Sequence, residues 1–136
     1  MNYQGSYCAL ITPFKEGVLD RNSFKNIIKW HIKSGTKGII PCGTTGESPT
    51  LSHEEHKLVV ELALEYSENQ LRVIAGTGSN STEEAISFTK HAKSAGADSA
   101  LVVVPYYNKP SQLGLKEHYL KIADSSDLPL FIYNIP

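Results

Sequence analysis

The stretch Gly38–Glu55, GIIPCGTTGESPTLSHEE, predicts a strand, a turn and a helix in immediate succession. It begins with an apolar run, and Ser52–Glu55 has the Ser-x-x-Glu spacing of a capping box at a helix N-terminus. Between them, Cys42–Ser48 places two glycines around the hydroxyls of Thr44 and Thr45. Such a turn is either a plain strand-to-helix connection or a site whose backbone N–H groups and hydroxyls hold a small anion. The turn by itself leaves both interpretations open.

The rest of the chain repeats this order of strand and helix at a spacing of roughly 30 residues, the length of one βαβ unit. Apolar runs predict five strands, at Tyr7–Thr12, Ile39–Ile40, Arg72–Ala75, Ser99–Val104 and Leu130–Tyr133. Amphipathic helical stripes follow four of them, at Phe24–Ile32, Leu58–Tyr66, Ala85–Ala92 and Leu115–Ala123. The intervening segment from residue 15 to residue 22 is polar and is predicted to be a loop.

Strands this apolar are typical of a parallel sheet that is buried on both faces and covered by helices. Two α/β architectures fit the pattern, a doubly wound sheet and a (β/α)8 barrel. Five strands are enough for a doubly wound sheet but too few to close an eight-stranded barrel. An open piece of a barrel would leave sheet edges and one side of the sheet bare. The pattern alone does not choose between the two.

Composition excludes several classes of function. The 136 residues carry a net charge of -1, so no nucleic-acid-binding footprint is expected. The sequence shows neither a signal peptide nor an apolar run of the ~20 residues that a membrane span needs, which predicts a cytoplasmic protein. Cys8 and Cys42 are predicted to be buried, reduced thiols, with a disulfide less favoured, and no zinc-like set of ligands is present. The glycines of Gly76–Gly78 do not complete a dinucleotide-binding fingerprint.

Hydroxyl side chains follow three of the predicted strands, at the strand ends where parallel α/β folds place their sites. They are Thr44 and Thr45, Tyr106 and Tyr107, and Tyr133. Because hydroxyls both donate and accept hydrogen bonds, such a set suits a proton relay. The alternative is that the tyrosine rings only cover the end of the sheet.

Four motifs occur in an order and spacing that resemble the dihydrodipicolinate synthase family, at Ala9–Pro13, Gly43–Glu47, Val104–Pro110 and Tyr133–Pro136. The resemblance extends over essentially the whole chain, and the Thr-Thr pair favours this family over the related N-acetylneuraminate lyases. It implies a (β/α)8 TIM barrel, of which residues 1–136 supply about the first four βα units and strand five, without a separate second domain. It also implies a pyruvate-dependent class I aldolase of lysine biosynthesis that needs no metal or organic cofactor.

The resemblance implies roles for the hydroxyls. Thr44, Tyr107 and Tyr133 match the proton-relay triad of the family, in which Tyr107 reaches the site of a neighbouring subunit across a dimer interface. Thr45 matches the residue that holds the pyruvate carboxylate. The substrates implied are pyruvate, bound as a Schiff base to a lysine, and aspartate semialdehyde.

The resemblance also implies an inhibitory lysine site at a dimer interface and a dimer of dimers as the assembly. The matching residues are Ser48, His53, His56, Asn80, Glu84 and Tyr106. Considered singly, His53 and His56 fit a solvated first helical turn, and Glu84 fits the partner of Ser81 in a second capping box.

The Schiff-base lysine of the family corresponds to a position beyond residue 136. Lys109 is the lysine nearest the strand ends, but its sequence neighbours offer neither the cation nor the apolar enclosure that a Schiff-base lysine needs. The 136 residues alone are therefore expected to be inactive. The alternatives are a non-catalytic half-barrel that acts as a binding module and a 2-keto acid lyase with another aldehyde substrate.

Overall fold

The computed structural model describes residues 3–135, so Pro136, the last residue of one quoted motif, lies outside the described part. The strands are β1 (Tyr7–Ala9), β2 (Phe14–Lys15), β3 (Val18–Leu19), β4 (Gly38–Ile40), β5 (Arg72–Gly76), β6 (Ser99–Val103) and β7 (Leu130–Tyr133). The helices are α1 (Arg21–Lys33), α2 (His53–Ser67), α3 (Thr82–Ala95) and α4 (Gln112–Asp124). All five predicted strands and all four predicted helices are confirmed.

The main sheet contains five parallel strands in the order β1-β4-β5-β6-β7, which is also their order along the chain. Each helix packs against the next, α1 on α2, α2 on α3 and α3 on α4, so the helices form a single layer. In a doubly wound sheet the strand order reverses and helices cover both faces. This sheet is therefore wound in one direction only, as in a barrel.

The core lies between the sheet and the helix layer. Phe24 and Ile28 of α1, Ile39 of β4 and Val59 of α2 have essentially no solvent exposure, and Ile122 of α4 closes the far end. These residues fall on the stripes and strands that the sequence pattern marks as apolar. Burial of these large side chains is the main stabilising contribution to the fold.

The prediction that the strands are buried on both faces holds for the central strand β5 and is wrong for the two outer strands. No residue of β1 is fully buried, and Phe131 and Ile132 of β7 are 37% and 62% exposed. Each outer strand has a neighbour on one side only within residues 3–135. The bare edges expected of an open piece of a barrel are thus present.

The predicted polar loop contains a structure that the sequence did not indicate. Strands β2 and β3 form a small antiparallel hairpin in which Phe14 pairs with Leu19. Glu16 and Gly17 connect the two strands, with φ angles of 53° and 80°. Positive φ at both connecting residues marks a turn that matches the strand twist, and the Glu-Gly pair lacks the usual Asn or Asp at the first position.

None of the helices within residues 3–135 is both long and apolar enough to cross a lipid bilayer.

Candidate functional site

A pocket of about 210 Å³ opens at the carboxyl ends of strands β4, β5, β6 and β7. Its polar lining comes from Thr44, Ser48, Tyr106 and Tyr133, and its apolar walls include Leu101 and Val103. No charged side chain of the described residues lines it. The pocket therefore presents hydroxyl groups in an otherwise apolar setting.

The turn after β4 leaves the hydrogen-bond donors of two consecutive threonines, Thr44 and Thr45, without acceptors among the described residues. The N–H groups of Gly46 and Glu47 donate to the carbonyls of Gly43 and Thr44, at 3.1 and 3.0 Å. By contrast, within residues 3–135 neither the amide N–H nor the hydroxyl of Thr44 or Thr45 donates a hydrogen bond to the chain. Adjacent free N–H groups and hydroxyls of this kind can hold a small anion, which is the functional interpretation of this turn.

The same turn is fixed in place by its neighbours. Cys42 and Glu47 both adopt left-handed backbone conformations, with φ of 56° and 54°. The Thr12 hydroxyl, just after β1, donates to the Gly46 carbonyl at 2.7 Å. Cys42 is buried, and burial raises the pKa of its thiol, which keeps that thiol protonated and unreactive. The structure thus confirms a buried, unpaired thiol at Cys42, whereas Cys8 is only half-buried.

Two glycines, one at the end of β5 and one in the turn after it, allow the pocket to form. A side chain at Gly76 would collide with the backbone carbonyl of Cys42, and one at Gly78 would collide with the backbone of Val103. The end of β5 therefore packs directly against the turn after β4, and the turn after β5 packs against the end of β6. Only glycine permits so close an approach of the three backbones.

The structure brings two members of the predicted relay triad to one pocket and leaves the third outside. Thr44 and Tyr133 both line the pocket. Tyr107 does not, because its side chain projects from the loop after β6 and is 94% exposed. Thr45 is also exposed and does not line the pocket. Lys109 lines a separate outer groove together with Tyr107.

The six residues of the predicted effector site do not form one cluster in this chain. Ser48 and Tyr106 line the hydroxyl pocket itself. The carbonyl of Asn80 accepts a hydrogen bond from the loop after β6. His53, His56 and Glu84 lie together between α2 and α3.

The group between α2 and α3 is built around Phe88. His53 Nε2 lies 2.6 Å from Glu84 Oε1, and the His53 ring meets Phe88 edge-on with centroids 5.2 Å apart. On the other side, His56 stacks on Phe88 with centroids 3.8 Å apart and planes 10° from parallel. The His56 side chain is buried, so a solvated first helical turn is the wrong description of it.

Glu84 is not the capping-box partner that its spacing from Ser81 suggests. The Ser81 hydroxyl accepts a bond from the Glu84 N–H at 3.4 Å, but the Glu84 carboxylate bonds to His53 instead. Partial burial opposes ionisation of this carboxyl, yet hydrogen bonds from Ser79 and His53 outweigh it and lower the pKa of Glu84. A partly exposed carboxylate of lowered pKa is suited to bind a cation.

Sequence reasoning missed a buried hydroxyl pair that supports the pocket. The hydroxyls of Thr77 and Thr89 are 2.9 Å apart, and that of Thr89 lies 2.7 Å from the Ala85 carbonyl. With Thr89 donating to the carbonyl, Thr77 donates to Thr89, so both hydroxyls are satisfied. This pair ties the turn after β5 to α3. Its only signal in the sequence is Thr89 on an otherwise apolar helical stripe.

Within the described residues, no three His, Cys, Asp or Glu side chains are grouped so that they could hold a metal ion.

Comparisons of the sequence and of the structure with known proteins point to the same family. The model of the dihydrodipicolinate synthetase family matches residues 2–136. The 4-hydroxy-tetrahydrodipicolinate synthase of Syntrophobacter fumaroxidans is 59% identical over 134 residues, which are 98% of this chain and 46% of that protein. The crystal structure of dihydrodipicolinate synthase from Aquifex aeolicus superposes with a TM-score of 0.97 at 57% identity, covering 98% of this chain and 46% of that one.

Two further similar structures carry bound molecules. The enzyme of Acinetobacter baumannii, described as chloride inhibited and complexed with pyruvate, has a TM-score of 0.96 at 50% identity, covering 99% of this chain and 47% of that one. The enzyme of Cyanidioschyzon merolae, described as having lysine bound, has a TM-score of 0.91 at 44% identity, covering 97% of this chain and 46% of that one.

The chain spans about half the length of the curated relatives that it matches. Its parallel strands and single helix layer correspond to the first half of their TIM barrels. The chain belongs to the dihydrodipicolinate synthetase family, and its fold is the N-terminal part of that family's (β/α)8 barrel.

Proposed function

We propose that this chain supplies the hydroxyl half of the active site of a 4-hydroxy-tetrahydrodipicolinate synthase, a lyase that condenses pyruvate with aspartate semialdehyde. The observation that carries the proposal is the pocket at the strand ends, which Thr44 and Tyr133 both line and which no charged side chain of the described residues lines. Hydroxyls that are not engaged by ionised neighbours are free to pass a proton between water and a reacting carbon. Family membership and the pyruvate complex of the Acinetobacter relative support the substrate.

In this proposal the turn after β4 binds the substrate carboxylate. The free N–H groups and hydroxyls of Thr44 and Thr45 favour an anion at this point. Holding the carboxylate there places the carbonyl carbon of pyruvate toward the pocket. The amine that forms the Schiff base comes from outside residues 1–136, because the described residues that line the pocket include no lysine.

Tyr107 completes the relay from a second copy of the chain. Its 94% exposure means that it cannot serve the pocket of its own chain in this conformation, whereas it is free to enter another. A dimer, and a dimer of dimers as the larger assembly, are therefore part of the proposal, as is a cytoplasmic location.

The test uses this chain continued after residue 136 by the corresponding remainder of the Aquifex aeolicus relative, called the joined protein below. Borohydride reduction with pyruvate should add a covalent mass to the joined protein and none to the 136-residue chain. Tyr133→Phe in the joined protein should lower kcat by at least ~10²-fold, because the relay loses its hydroxyl.

Tyr119→Phe is the matched control, because the Tyr119 hydroxyl has no hydrogen-bond partner among the described residues and does not line the pocket. Equal kcat values for the two variants would reject the relay. A borohydride adduct on the 136-residue chain would instead show that one of its own lysines forms the Schiff base.

We further propose that lysine inhibits the enzyme, with its ammonium bound by Glu84 and its other groups reached by Ser48, His53, His56, Asn80 and Tyr106. The lowered pKa and 31% side-chain exposure of Glu84 support a cation contact, and the Cyanidioschyzon relative is described with lysine bound. His56 is buried against Phe88, so it acts on the ligand only if its ring moves.

Calorimetric titration of the joined protein with lysine tests this site. Glu84→Gln should weaken binding by about tenfold or more, because a charge-assisted hydrogen bond is lost. Its neighbour Glu83 is exposed, so Glu83→Gln should leave binding unchanged. Unaltered affinity in Glu84→Gln, or in the companion variant His56→Ala, would remove that residue from the site.

A further inference from the structure

The loop after β6 places Tyr107 in an unusual backbone conformation. Tyr107 has a φ of 68°, and the N–H of Asn108 donates to the Tyr106 carbonyl at 2.8 Å. A hydrogen bond across three residues with positive φ at the central one defines a γ-turn of the rare, strained kind. Lys109, two residues after Tyr107, also has a positive φ, of 38°. Neither Tyr nor Lys adopts such angles readily.

One side chain ties this loop to the rest of the molecule. The amide nitrogen Nδ2 of Asn108 donates to the backbone carbonyl of Asn80 at 3.0 Å. Asn80 lies in the turn after β5, 28 positions earlier in the chain. The bond thus joins the loops of two neighbouring strands at the residue immediately after the strained one.

Tyr107 itself contributes little to holding this conformation. Its ring is 94% exposed, and no hydrogen bond of its side chain is found within residues 3–135. By contrast, the preceding Tyr106 lines the hydroxyl pocket, so the start of the loop is anchored while its tip is not. Strained backbone persists only where surrounding contacts maintain it, and among the described residues the long-range hydrogen bond of this loop comes from the Asn108 side chain.

We propose that Asn108 is a positioning residue whose hydrogen bond to the Asn80 carbonyl holds the γ-turn at Tyr107 and so directs the Tyr107 phenol away from its own chain. The functional consequence rests on the proposed role of Tyr107 as the relay residue given to a second copy. Without the bond from Asn108 to Asn80, the backbone at Tyr107 relaxes to a negative φ, and the Tyr107 phenol no longer points in one defined direction.

The conformational part is tested on the 136-residue chain by NMR. Positive φ brings a residue's own amide and α protons close together, so Tyr107 should show a strong intraresidue NOE in the parent chain. That NOE should weaken in Asn108→Asp, which keeps the side-chain size but removes the donor, and in Asn108→Ala. Asn69 also has a positive φ, of 57°, in another loop, so Asn69→Asp is the control and should leave the Tyr107 NOE unchanged. A strong Tyr107 NOE in both Asn108 variants would overturn the proposal.

The functional part is tested by kinetics in the joined protein. Asn108→Ala should lower kcat about five-fold, the scale of one lost hydrogen bond, with the KM for pyruvate changed less than about twofold. In a Tyr107→Phe background the same substitution should have no further effect, because there is no phenolic hydroxyl left to position. Additive losses would contradict positioning through Tyr107. If Tyr107→Phe alone left kcat unchanged, the proposed role of Tyr107 would fail, while the NOE would still decide whether Asn108 holds the turn.

Discussion

At the residue scale, His56 shows how an aromatic partner can bury an ionisable side chain. Its ring is 1% exposed and stacked on Phe88, and neither ring nitrogen has a hydrogen-bond partner among the described residues. Desolvation lowers the pKa of His56 to about 4, and a weak interaction with the Gly76 backbone only partly opposes this shift. The folded chain therefore holds His56 neutral at any pH near neutrality.

This lowered pKa predicts a loss of stability in mild acid. Above pH 6.5, the usual pKa of histidine, both folded and unfolded chains hold a neutral His56, so no free energy is lost. Between pH 6.5 and pH 4 only the unfolded chain takes up the proton, and the free energy of unfolding should fall by about 3 kcal/mol. Urea unfolding of the parent and of His56→Phe, which keeps the stacking partner, measures this contribution.

The difference between the two unfolding curves isolates His56. Burial also lowers the pKa values of His31 and His118, so the parent loses stability in acid from more than one residue. Those contributions are common to both proteins and cancel. Parallel pH dependences for the parent and His56→Phe would show that the pKa of His56 is not lowered.

At the element scale, α2 and α3 begin with the same Ser-x-x-Glu spacing and yet start differently. Ser52 and Glu55 form the full capping box, with the Ser52 hydroxyl accepting from the Glu55 N–H and the Ser52 N–H donating to Glu55 Oε2 at 2.8 Å. At α3, Ser81 makes only the first of these two bonds, at 3.4 Å. The difference arises because Glu84 pairs with His53 of the neighbouring helix.

The lengths of the bonds that the two serine hydroxyls accept, 3.2 Å at Ser52 and 3.4 Å at Ser81, predict unequal effects of removing them. Ser52→Ala should lower the free energy of unfolding by about 1 kcal/mol, the usual loss for an N-cap. Ser81→Ala removes a single long bond and should lower it by less than about half of that. Chemical denaturation of the two variants beside the parent provides the comparison. Ser52→Ala keeps the backbone N–H that donates to Glu55, so equal losses would mean that the two hydroxyls stabilise their helices equally despite the different bond lengths.

At the scale of the whole molecule, the outer strands carry apolar side chains that the described residues do not cover. Ile132 of β7 is 62% exposed and Ile11, just after β1, is 55% exposed. Unpaired strand edges with exposed apolar residues favour association with other chains. In the related enzymes, which are about twice as long, the rest of the protein is available to cover this region.

The exposed edge predicts that the 136-residue chain associates in solution as its concentration rises. Ile132→Lys should reduce this association, because a charge on an edge strand opposes pairing. Leu113 is 68% exposed but lies on helix α4 and not on an edge strand, so Leu113→Lys is the matched control and should have little effect. Sedimentation velocity over a concentration series distinguishes the variants; a chain that stays monomeric throughout would contradict the prediction.

Particular residues show how far the sequence could predict this structure. The capping box at the start of α2 was predictable because its partners, Ser52 and Glu55, are only three positions apart. The five strands were predictable from their apolar runs. The pairing of Glu84 with His53 was not, because the partners are 31 positions apart on separate helices and a local capping pattern competed with it.

Only part of the candidate site was predictable, because some of its residues follow strands and others lie in irregular loops. Thr44 and Tyr133 could be assigned to one rim because parallel strands bring their carboxyl ends together. The exposure of Tyr107 and the bond between Asn108 and Asn80 depend on loop conformations that no periodic pattern encodes. The exposure of β7 was predictable from the number of strands, because five strands cannot close a barrel and leave the outer ones bare. The apolar content of β7 alone predicted the opposite, a strand buried on both faces.

The order of the strands has a consequence for how the chain acquires its structure. Since the strands lie side by side in the order in which they are synthesised, each new strand and helix docks on the unit made just before it. Each pairing joins a strand to the next main-sheet strand along the chain, as Ala100 pairs with Leu130, so no pairing has to wait for a distant part of the sequence. The sheet can therefore grow from β1 as the polypeptide leaves the ribosome, and the hydroxyl pocket forms only when β7 pairs with β6.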